Sequence, residues 1–454
     1  MNTITAISTP AATAGLGVVR LSGPEALAIA GRVFRPLDPA KTPERMPGYT
    51  AAYGHVADAD GDIDDCVALI FRAPHSYTGE DVVELSCHGG LYLLQRVLRA
   101  CLSAGARAAG PGEFTRRAFM NGKMDLTQAE SVMGLIAAQG RLAAGTALTA
   151  REGAVYRRLE EIKETLLGVA AQFGAYIDYP DEDIPDLSPA ALGQTVTEGA
   201  SALRALLGTY DAGRVLREGV ETAIVGSPNV GKSTLMNCLA GCERSIVTDI
   251  AGTTRDVVEE TVRLGDVTLR LADTAGIRDT GDAVETVGVE LARRRMERAA
   301  LVLAVFDGSV SLSEEDRALA DSLCGRAAIA VVNKADKPLV TDMAWLNTRF
   351  EQVVTLSAKE GAGVDDLTAA VARVTGVERL DAAQPVLTTE RQRQCAATAL
   401  TCLEEAAAAL DSGLTLDAVS VSVDGAIGAI LGLTGERATE AVVDRVFADF
   451  CVGK

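Results

Sequence analysis

The sequence predicts a multidomain fold with an N-terminal α+β domain, a helical domain built from two separate chain segments, and an inserted α/β domain of the P-loop class. Three observations predict this fold. A chain of 454 residues is too long for one hydrophobic core and should form about three domains. A glycine-rich turn at Gly226–Ser233 joins an apolar strand pattern to a helix pattern. From residue 221 to about residue 376, strand and helix patterns alternate between two helical regions.

Insertion of one domain into another is permitted because the two ends of a domain usually lie close together. The expected domains are therefore the N-terminal domain at 1–118, the first helical part at 119–215, the inserted domain at 216–377 and the second helical part at 378–454.

The N-terminal domain shows short strand patterns and two helix patterns. Strands are predicted at 17–21, 65–71 and 82–86, and helices at 24–34 and 91–104. Three polar clusters are predicted to be loops, at 76–81, 84–90 and 111–117. Such loops either bind a ligand or serve as ordinary turns.

Helical patterns dominate the segments on either side of the inserted domain. Asp125 with Gln128 resembles a capping box and opens an alanine-rich helical segment to about Tyr176. The acidic stretch 178–186 is predicted to be a solvated connector rather than a metal site, because its carboxylates lack a defined ligand spacing. Further helices are expected at 190–216, 388–410, 417–431 and 438–450.

The inserted domain has the alternating pattern of a parallel sheet with helical crossovers. Strands are predicted at 222–225, 267–272, 301–306, 327–332 and 353–356. Helices are predicted to begin at 234 and to span 287–298, 313–323 and 364–374.

Composition limits the classes of function. The net charge of −19 argues against a general nucleic-acid-binding surface. The nine cysteines include no C-x-x-C pair, which indicates reduced thiols in a cytosolic protein. No signal-peptide pattern is present, and no apolar run approaches the roughly 20 residues of a membrane span. We therefore expect a soluble cytoplasmic protein without a membrane partner.

The turn Gly226–Ser233 fits the pattern G-x-x-x-x-G-K-[ST]. Backbone N–H groups of such a turn, and of the helix that follows it, point at phosphate oxygens. Lys232 should reach the terminal phosphates, and Ser233 should offer its hydroxyl to Mg²⁺. A nucleoside triphosphate is the expected ligand.

Two strings downstream of the turn indicate guanine as the base. The string Asn333-Lys-Ala-Asp336 follows a strand, and its final carboxylate can accept both N1–H and N2–H of guanine, which adenine cannot supply. The string Ser357-Ala-Lys359 supplies a backbone amide for guanine O6.

Two further strings indicate hydrolysis. Asp273-Thr-Ala-Gly276 places Asp273 to hold Mg²⁺ through water and the Gly276 N–H near the γ-phosphate. Thr254, within a switch segment, offers a second Mg²⁺ ligand. A degenerate P-loop without turnover is the alternative.

The catalytic residues differ from those of Ras-like proteins. Ile277 stands where those proteins have the glutamine that orients water, and an apolar side chain cannot do this. Asp282 and Glu285 follow in the same segment and are the candidates. No arginine finger is identifiable. Asn229 and backbone oxygens of 248–253 offer ligands for a monovalent cation, whose charge would offset the charge that develops during transfer.

Seven motifs together resemble those of the MnmE (also called TrmE) family of tRNA-modification GTPases, and the resemblance runs from end to end of the chain. The motifs are Arg20–Gly23, Tyr77–Glu84, His88–Gly90, Pro111–Thr115, Asn121–Leu126, Gly252–Asp256 and Phe450–Lys454.

The resemblance implies a tetrahydrofolate-binding and dimerising N-terminal domain and a Ras-like GTPase domain. It implies a K⁺-dependent GTP hydrolase, active as a homodimer whose GTPase domains meet across their nucleotides. It also implies a heterotetramer with an MnmG-type flavoprotein, which alone binds FAD. Together they would modify carbon 5 of the wobble uridine (U34) of certain tRNAs, adding an aminomethyl or carboxymethylaminomethyl group. The carbon would come from a tetrahydrofolate derivative, in the 5-formyl or 5,10-methylene form.

The resemblance also assigns residues. The residues that it assigns to folate binding are Arg20, Glu84, Lys123 and Lys454. It places Cys451 near the same pocket, unless Cys451 is an ordinary buried thiol. It assigns Mg²⁺ coordination to Ser233 and Thr254. It assigns K⁺ coordination to Asn229, Thr248, Ile250 and Thr253. It assigns the orientation of the attacking water to Glu285 rather than to Asp282. The residues expected to contact GTP are Asn229, Val230, Gly231, Lys232, Ser233, Thr234, Thr248, Asp249, Ile250, Ala251, Gly252, Thr253, Thr254, Asp273, Thr274, Ala275, Gly276, Asn333, Lys334, Ala335, Asp336, Ser357, Ala358 and Lys359.

Two other functions remain open: a regulatory GTPase of the ribosome-assembly type without modification activity, and a folate-dependent enzyme with a vestigial GTPase domain. The folate-domain motifs and the terminal Cys-Val-Gly-Lys argue against an assembly factor, which needs neither. The chain departs from the family pattern at Ser86-Cys87, at Val452 and over 419–426. Gly425 and Gly428 each lower helix propensity by about 1 kcal/mol relative to alanine.

Overall fold

The computed structural model describes residues 2–178, 189–242, 260–271, 299–448 and 450–454. Its tertiary contacts divide the chain into two compact units. The first unit contains residues 1–133 and 430–454, and the second contains residues 134–429.

A seven-stranded sheet forms the centre of the first unit. Its strands are β1 (Ile4–Ile7), β2 (Ala14–Ser22), β3 (Phe34–Pro36), β4 (Thr50–Asp58), β5 (Gly61–Phe71), β6 (Val82–Gly89) and β7 (Arg107–Ala108). Their order is β3-β4-β5-β6-β2-β1-β7. Neighbouring strands are antiparallel, except that β1 and β7 are parallel. The three strands predicted in this unit are confirmed as β2, β5 and β6, and β1, β3, β4 and β7 were not predicted.

Two helices cover one face of this sheet, α1 (Ala26–Val33) and α2 (Leu91–Ser103). Side chains alternate along each strand, so Val19 and Leu21 of β2 pack under these helices while Arg20 points to the opposite face. Gly17 lies where α2 crosses β2, and a Cβ there would lie 2.4 Å from a methyl group of Leu94.

Two more helices, α3 (Glu113–Met120) and α4 (Leu126–Ala137), follow the sheet. The prediction that 111–117 is a loop was wrong, because α3 begins within it at Glu113, directly after Gly112 with φ +60°. The prediction that 84–90 is a loop was also wrong, because β6 continues to Gly89. The capping box of α4 is confirmed. The Asp125 carboxylate accepts the Gln128 N–H at 3.2 Å, and the Gln128 side chain accepts the Asp125 N–H at 3.0 Å.

The second unit begins with the helices α5 (Arg141–Arg151), α6 (Ala154–Asp178), α7 (Pro189–Leu207) and α8 (Tyr210–Glu218). The predicted helical character is confirmed, but each long segment is broken. The helix predicted from residue 125 to about residue 176 divides before α5, at Gly140, and before α6, at Gly153 with φ +87°. Residues 208 and 209 separate α7 from α8. Most of the acidic stretch 178–186 lies outside the described residues.

A six-stranded sheet follows, with strands β8 (Val220–Val225), β9 (Glu260–Leu264), β10 (Val267–Leu271), β11 (Leu301–Asp307), β12 (Ala328–Asn333) and β13 (Gln352–Thr355). Its order is β13-β12-β11-β8-β10-β9, and all pairs are parallel except β9 with β10. The predicted parallel sheet is confirmed, whereas β9 was not predicted.

Helices of this sheet are α9 (Lys232–Cys242), α10 (Glu314–Ser322), α11 (Met343–Asn347) and α12 (Val364–Val374). Alternate residues of β11 enter different cores. Leu303 packs with Leu235 of α9 and Leu367 of α12, while Phe306 packs with Ala320 of α10. Both faces of the sheet are therefore covered, as expected of a doubly wound fold. The helix predicted at 287–298 lies outside the described residues.

The chain ends in α13 (Glu390–Asp411), α14 (Leu416–Thr434) and α15 (Glu440–Ala448). The two glycines of α14 do not interrupt it. A Cβ on Gly425 would lie 3.1 Å from the Cys402 sulfur of α13, so glycine permits the close approach of the two helices.

Helix α14 differs from the expectation that no segment is apolar enough for a membrane span. Its mean hydropathy is 1.6, and among the described helices it alone passes that test by length and composition. A core helix passes the same test. Val419, Val423 and Ile430 of α14 are fully buried, while Asp417 and Asp424 are exposed. This division is that of an amphipathic helix packed on protein.

The chain enters and leaves the six-stranded part through two segments that are packed together. Helix α8 leads into β8, and residues 386–389 lead into α13. The Leu387 N–H donates to the Thr209 hydroxyl at 3.0 Å. A Cβ on Gly213 of α8 would lie 2.1 Å from the Leu387 carbonyl oxygen. Only glycine allows this contact.

We predict that Gly213→Ala and Gly193→Ala change stability in opposite directions. A Cβ on Gly193, in α7, would have nothing within 4 Å, so alanine should stabilise the fold by up to about 1 kcal/mol through helix propensity. Alanine at Gly213 would gain the same propensity, but overlap with a backbone carbonyl should cost about 1–3 kcal/mol. Thermal unfolding should show a higher midpoint for Gly193→Ala and a lower one for Gly213→Ala. Equal shifts would contradict the close packing at the junction.

Candidate functional site

The glycine-rich turn lies between β8 and α9, at the carboxyl edge of the sheet, where ligands of open α/β sheets bind. Gly226 has φ +150°, and a Cβ on it would lie 2.3 Å from the Val305 carbonyl oxygen of β11. Gly231 has φ +98°, and its Cβ would lie 2.3 Å from the Asn333 side chain. Both glycines are therefore fixed by neighbouring strands as well as by their backbone angles.

Lys232 is the first residue of α9, and its ammonium group turns back over the loop. It donates to the carbonyl oxygens of Gly226 and Ser227, each at 2.9 Å. Burial lowers the pKa of Lys232 from its usual value. Ser233 and Thr234, the next two residues of α9, are exposed. The exposed hydroxyl of Ser233 is a hard oxygen ligand of the kind that Mg²⁺ takes.

Asn229, in the middle of the turn, has φ +64°, a left-handed conformation that asparagine tolerates better than most residues. Its backbone carbonyl accepts the Lys334 ammonium at 2.8 Å. Lys334 also pairs with Asp307 at the end of β11, at 2.5 Å. Burial opposes ionisation of Asp307, but hydrogen bonds from Lys334 and Ser309 outweigh it and lower its pKa.

Asn333, the last residue of β12, is 3% exposed and joins two loops. Its amide nitrogen donates to the Val230 carbonyl at 2.9 Å. Its amide oxygen accepts the Ala358 N–H at 3.0 Å. The turn at 226–233 and the segment 357–359 are therefore held on either side of one buried side chain.

Asp336 and Ser357 come together across the same edge of the sheet. The Ser357 hydroxyl donates to the Asp336 carboxylate at 2.8 Å. This hydrogen bond is the main cause that lowers the pKa of Asp336, so the carboxylate is ionised at neutral pH. The Ala335 N–H bonds the Leu356 carbonyl at 3.1 Å. Lys359 is exposed beside them. The three strings on described residues, at 226–233, 333–336 and 357–359, thus meet at one edge.

Sequence reasoning missed two residues of this edge. Asp316 of α10 accepts the Ser227 hydroxyl of the turn at 2.6 Å. Asp307 pairs with Lys334 as described above. A signal for Asp316 was present, because Ser313 and Asp316 have the spacing of a capping box at the start of a predicted helix. Asp307 follows an apolar strand run, which places it at the carboxyl edge.

Several predicted residues of the nucleotide site lie outside the described residues. They are Thr248, Asp249, Ile250, Ala251, Gly252, Thr253, Thr254, Asp273, Thr274, Ala275, Gly276 and Glu285, together with Ile277 and Asp282.

A second set of predicted residues meets on the face of the seven-stranded sheet opposite α1 and α2. Arg20 of β2 pairs with Glu84 of β6 at 2.8 Å, and a second Arg20 nitrogen donates to the Gly453 carbonyl at 3.4 Å. The aromatic rings of Tyr77 and Phe114 lie under the Arg20 guanidinium. Their centroids are 5.8 and 5.5 Å from the guanidinium carbon, respectively. The register of the antiparallel pair sets Arg20 directly opposite Glu84.

The last four residues lie along the start of α3. Val452 forms a bridge with Pro111. The Gly112 N–H donates to the Cys451 carbonyl at 3.3 Å, and the Phe114 N–H donates to the Lys454 carbonyl at 3.1 Å. The Ser8 hydroxyl donates to the Gly453 carbonyl at 3.2 Å. These bonds bring the C-terminus to the Arg20–Glu84 pair.

Two of the three polar clusters are held together beside this pair by Arg117, which is only 4% exposed. Its guanidinium donates to both Glu80 oxygens, at 3.0 and 3.1 Å, and to Glu113 at 3.1 Å. The Ser22 hydroxyl also donates to Glu80, at 2.7 Å. Arg117 therefore fixes the loop 76–81 on α3.

Lys123 and Cys451 are placed differently from the Arg20–Glu84 pair. The Lys123 ammonium donates to the Pro74 carbonyl at 3.0 Å, and its stem packs against Gly79. The thiol of Cys451 is free and exposed, so the alternative that Cys451 is an ordinary buried thiol is wrong. Its position in the terminal segment keeps it close to Gly112.

Two family models match the chain. The model for the TrmE N-terminus, described as a GTP-binding protein, matches residues 3–123, and the model for the MnmE helical domain matches residues 126–451.

A solved structure of Era from Aquifex aeolicus, bound to GDP·AlF4⁻, is 25% identical to this chain. It covers 40% of this chain and 66% of its own, with a TM-score of 0.26.

Full-length relatives agree with the two family models. A tRNA modification GTPase MnmE of Symbiobacterium thermophilum is 42% identical over 456 residues, covering 100% of this chain and 99% of the relative. The protein of the same name from Geobacillus kaustophilus is 40% identical over 459 residues, with the same coverage. The identity to these two relatives over the whole length shows that the chain belongs to the MnmE family of tRNA modification GTPases.

Proposed function

We propose that this GTPase is K⁺-dependent and, with an MnmG-type flavoprotein, modifies carbon 5 of the wobble uridine U34 of certain tRNAs. The added aminomethyl or carboxymethylaminomethyl group takes its carbon from a tetrahydrofolate derivative. The observation that most directly supports this proposal is the contact of Arg20 with both Glu84 and the carbonyl of Gly453, in the terminal Cys-Val-Gly-Lys. A GTPase that only assembles ribosomes has no need of this second site.

GTP is proposed to bind along the turn at 226–233, with Lys232 and the N–H groups of the turn on its phosphates. The ionised carboxylate of Asp336 accepts two N–H groups of guanine, and a backbone amide of the segment 357–359 meets guanine O6. The pairing of Asp336 with the Ser357 hydroxyl supports this role, because it fixes the carboxylate while leaving acceptor capacity. Ser233 and Thr254 hold Mg²⁺.

K⁺ is proposed to bind beside the phosphates at Asn229 and backbone oxygens of Thr248, Ile250 and Thr253. Since Lys334 occupies the backbone carbonyl of Asn229, the ligand from this residue is its side-chain oxygen. The exposure of Asn229 supports this assignment. The cation supplies positive charge to the transition state without an arginine, and Glu285 orients the water.

The folate derivative is proposed to bind where Arg20, Glu84 and Lys454 meet, with Lys123 at the margin. The donor set fits such a molecule. A carboxylate accepts from the amino and N–H groups of a pterin ring, and cationic side chains bind the glutamyl carboxylates of the folate. When bound, the derivative supplies the one-carbon unit. The exposed Cys451 is the nearest thiol of the terminal segment.

The protein is proposed to act in the cytoplasm as a homodimer that forms a heterotetramer with the flavoprotein, which brings the FAD. The net charge of −19 supports a division of labour in which the flavoprotein provides most of the tRNA-binding surface. Affinity of this chain alone for tRNA should then be weak and salt-sensitive.

Replacing Asp336 with asparagine should change the nucleotide preference. The amide loses one acceptor for guanine and gains a donor that xanthine O2 accepts, so GTP affinity should fall by about 100-fold or more while xanthosine triphosphate binds better. Competition binding with both nucleotides measures this. Asp342→Asn is the matched control, because asparagine also caps the helix that Asp342 begins. Unchanged GTP affinity in Asp336→Asn would contradict the assignment.

GTP hydrolysis should be about 10-fold or more faster in K⁺ than in Na⁺ at equal ionic strength, since a missing transition-state charge costs about this much. Asn229→Ala should remove the difference between the cations, and Glu285→Ala should slow hydrolysis in both. Asn347→Ala, at an exposed helical position, serves as control. Equal rates in the two salts for the unchanged protein would refute K⁺ dependence.

Cells that lack the protein should lose the wobble-uridine modification, measured by nucleoside analysis of their tRNA. Arg20→Gln should fail to restore it and should bind tetrahydrofolate derivatives weakly, while its GTP turnover persists. Arg35→Gln, which affects only an exposed ion pair with Asp62, should restore it. Normal modification in cells without the protein would favour the ribosome-assembly alternative.

A further inference from the structure

A hydrogen bond between the P-loop and α10 is not involved in the binding of GTP, K⁺ or folate as proposed. The Ser227 hydroxyl donates to Oδ1 of Asp316 at 2.6 Å. Asp316 is 7% exposed and Ser227 is half-buried, so this bond is partly shielded from water. A hydrogen bond to a carboxylate is stronger than one between neutral groups, and losing one partner leaves a buried acceptor unsatisfied.

The other oxygen of Asp316 is bound to its own helix. Oδ2 accepts the Ser313 N–H at 3.0 Å and the Ser313 hydroxyl at 2.8 Å. The Ser313 hydroxyl in turn accepts the Asp316 N–H at 3.1 Å, which completes a capping box. The carboxylate is therefore held in one orientation and cannot rotate freely between solvent and the P-loop.

Ser227 is also the residue that positions Lys232. Its backbone carbonyl and that of Gly226 are the two acceptors of the Lys232 ammonium. A shift of Ser227 would move one of these acceptors directly. Gly226 cannot compensate, because the Val305 carbonyl lies against it.

We propose that Asp316 is a positioning residue for GTP binding and hydrolysis, which acts through the Ser227 hydroxyl to fix where the Lys232 ammonium stands. The capping box of α10 orients the carboxylate, the carboxylate holds Ser227, and the Ser227 carbonyl holds Lys232. The electrostatic partner of the terminal phosphates is thus placed by a helix that does not touch the nucleotide. This inference rests on the proposed role of Lys232 and is independent of K⁺, folate and tRNA.

The test compares variants of the full-length chain in saturating Mg²⁺ and K⁺. Ser227→Ala removes only the P-loop bond, Ser313→Ala removes only the cap, and Asp316→Ala removes both. Ser227→Thr keeps the hydroxyl. The readouts are the Kd values of a non-hydrolysable GTP analogue and of GDP, kcat and KM for GTP, and the thermal midpoint.

Ser227→Ala should lower kcat/KM about tenfold and weaken the GTP analogue more than GDP, because the lysine serves the terminal phosphates. Ser227→Thr should stay within about twofold of the unchanged protein. Ser313→Ala should lower the thermal midpoint and change the two Kd values less than Ser227→Ala does, because the Ser313 N–H still holds Oδ2. The losses from Ser227→Ala and Asp316→Ala should not add in the double variant, since both break one interaction.

Three results would overturn the proposal: Ser227→Ala within twofold of the unchanged protein, Ser313→Ala reproducing the nucleotide effects of Ser227→Ala, or additive losses in the double variant. Lys232→Ala separates this inference from the proposed function. If Lys232→Ala binds nucleotide normally, the proposed nucleotide site fails. If it loses binding while Ser227→Ala does not, only the role of Asp316 fails.

Discussion

One buried amide, that of Asn333, is the constraint on which the guanine-nucleotide side of the molecule depends. It bonds the Val230 carbonyl of the P-loop and the Ala358 N–H of the next segment. Both bonds lie out of water, where an unpaired amide would cost about 1–3 kcal/mol, so the three loops keep one arrangement. Asp336 and Lys334 follow Asn333 in the chain and take their positions from it. Lys334 then reaches the P-loop again at Asn229.

The P-loop is thus bound from two sides. From β12 it receives Asn333 and Lys334, and from α10 it receives Asp316 through Ser227. Preorganisation of this kind matters for charge stabilisation, because donors that are already in place cost no reorganisation when the reaction occurs.

The turn between β9 and β10 adds a link to the helical part. Its Asp266 carboxylate accepts the Leu142 N–H at the start of α5 at 2.9 Å, and Thr268 donates to the Gln139 side chain at 3.0 Å. Since β9 and β10 adjoin the segments 243–259 and 272–298, these bonds connect α5 to strands next to the proposed switch segments.

In the first unit, too, contacts between segments that are distant in the chain place the residues of the proposed site. Helices α1 and α2 cover one face of its sheet, and Arg20 and Glu84 lie on the other face beside Phe114 of α3. The register of the antiparallel pair sets Arg20 and Glu84 opposite each other. The chain terminus is then held beside them by backbone hydrogen bonds from Gly112 and Phe114 at the start of α3. A glycine at 453, with φ +99° and its Cβ position 2.5 Å from the Ile7 carbonyl, is required for this close approach.

The sequence alone determined the domain classes, the parallel sheet and the nucleotide-binding strings, because these depend on local periodicity and on glycines with a fixed chemical purpose. It did not determine β1, β3, β4, β7 or β9, whose patterns become strands only by pairing with neighbours. Nor did it determine α3, where the polar residues 113–117 form a helix because Arg117 is buried against Glu80. Only the tertiary structure showed that the terminal segment reaches Arg20 and that Asp316 holds Ser227. Those pairs are 433 and 89 residues apart, and no local pattern records which distant groups the packing of strands and helices brings within hydrogen-bond distance.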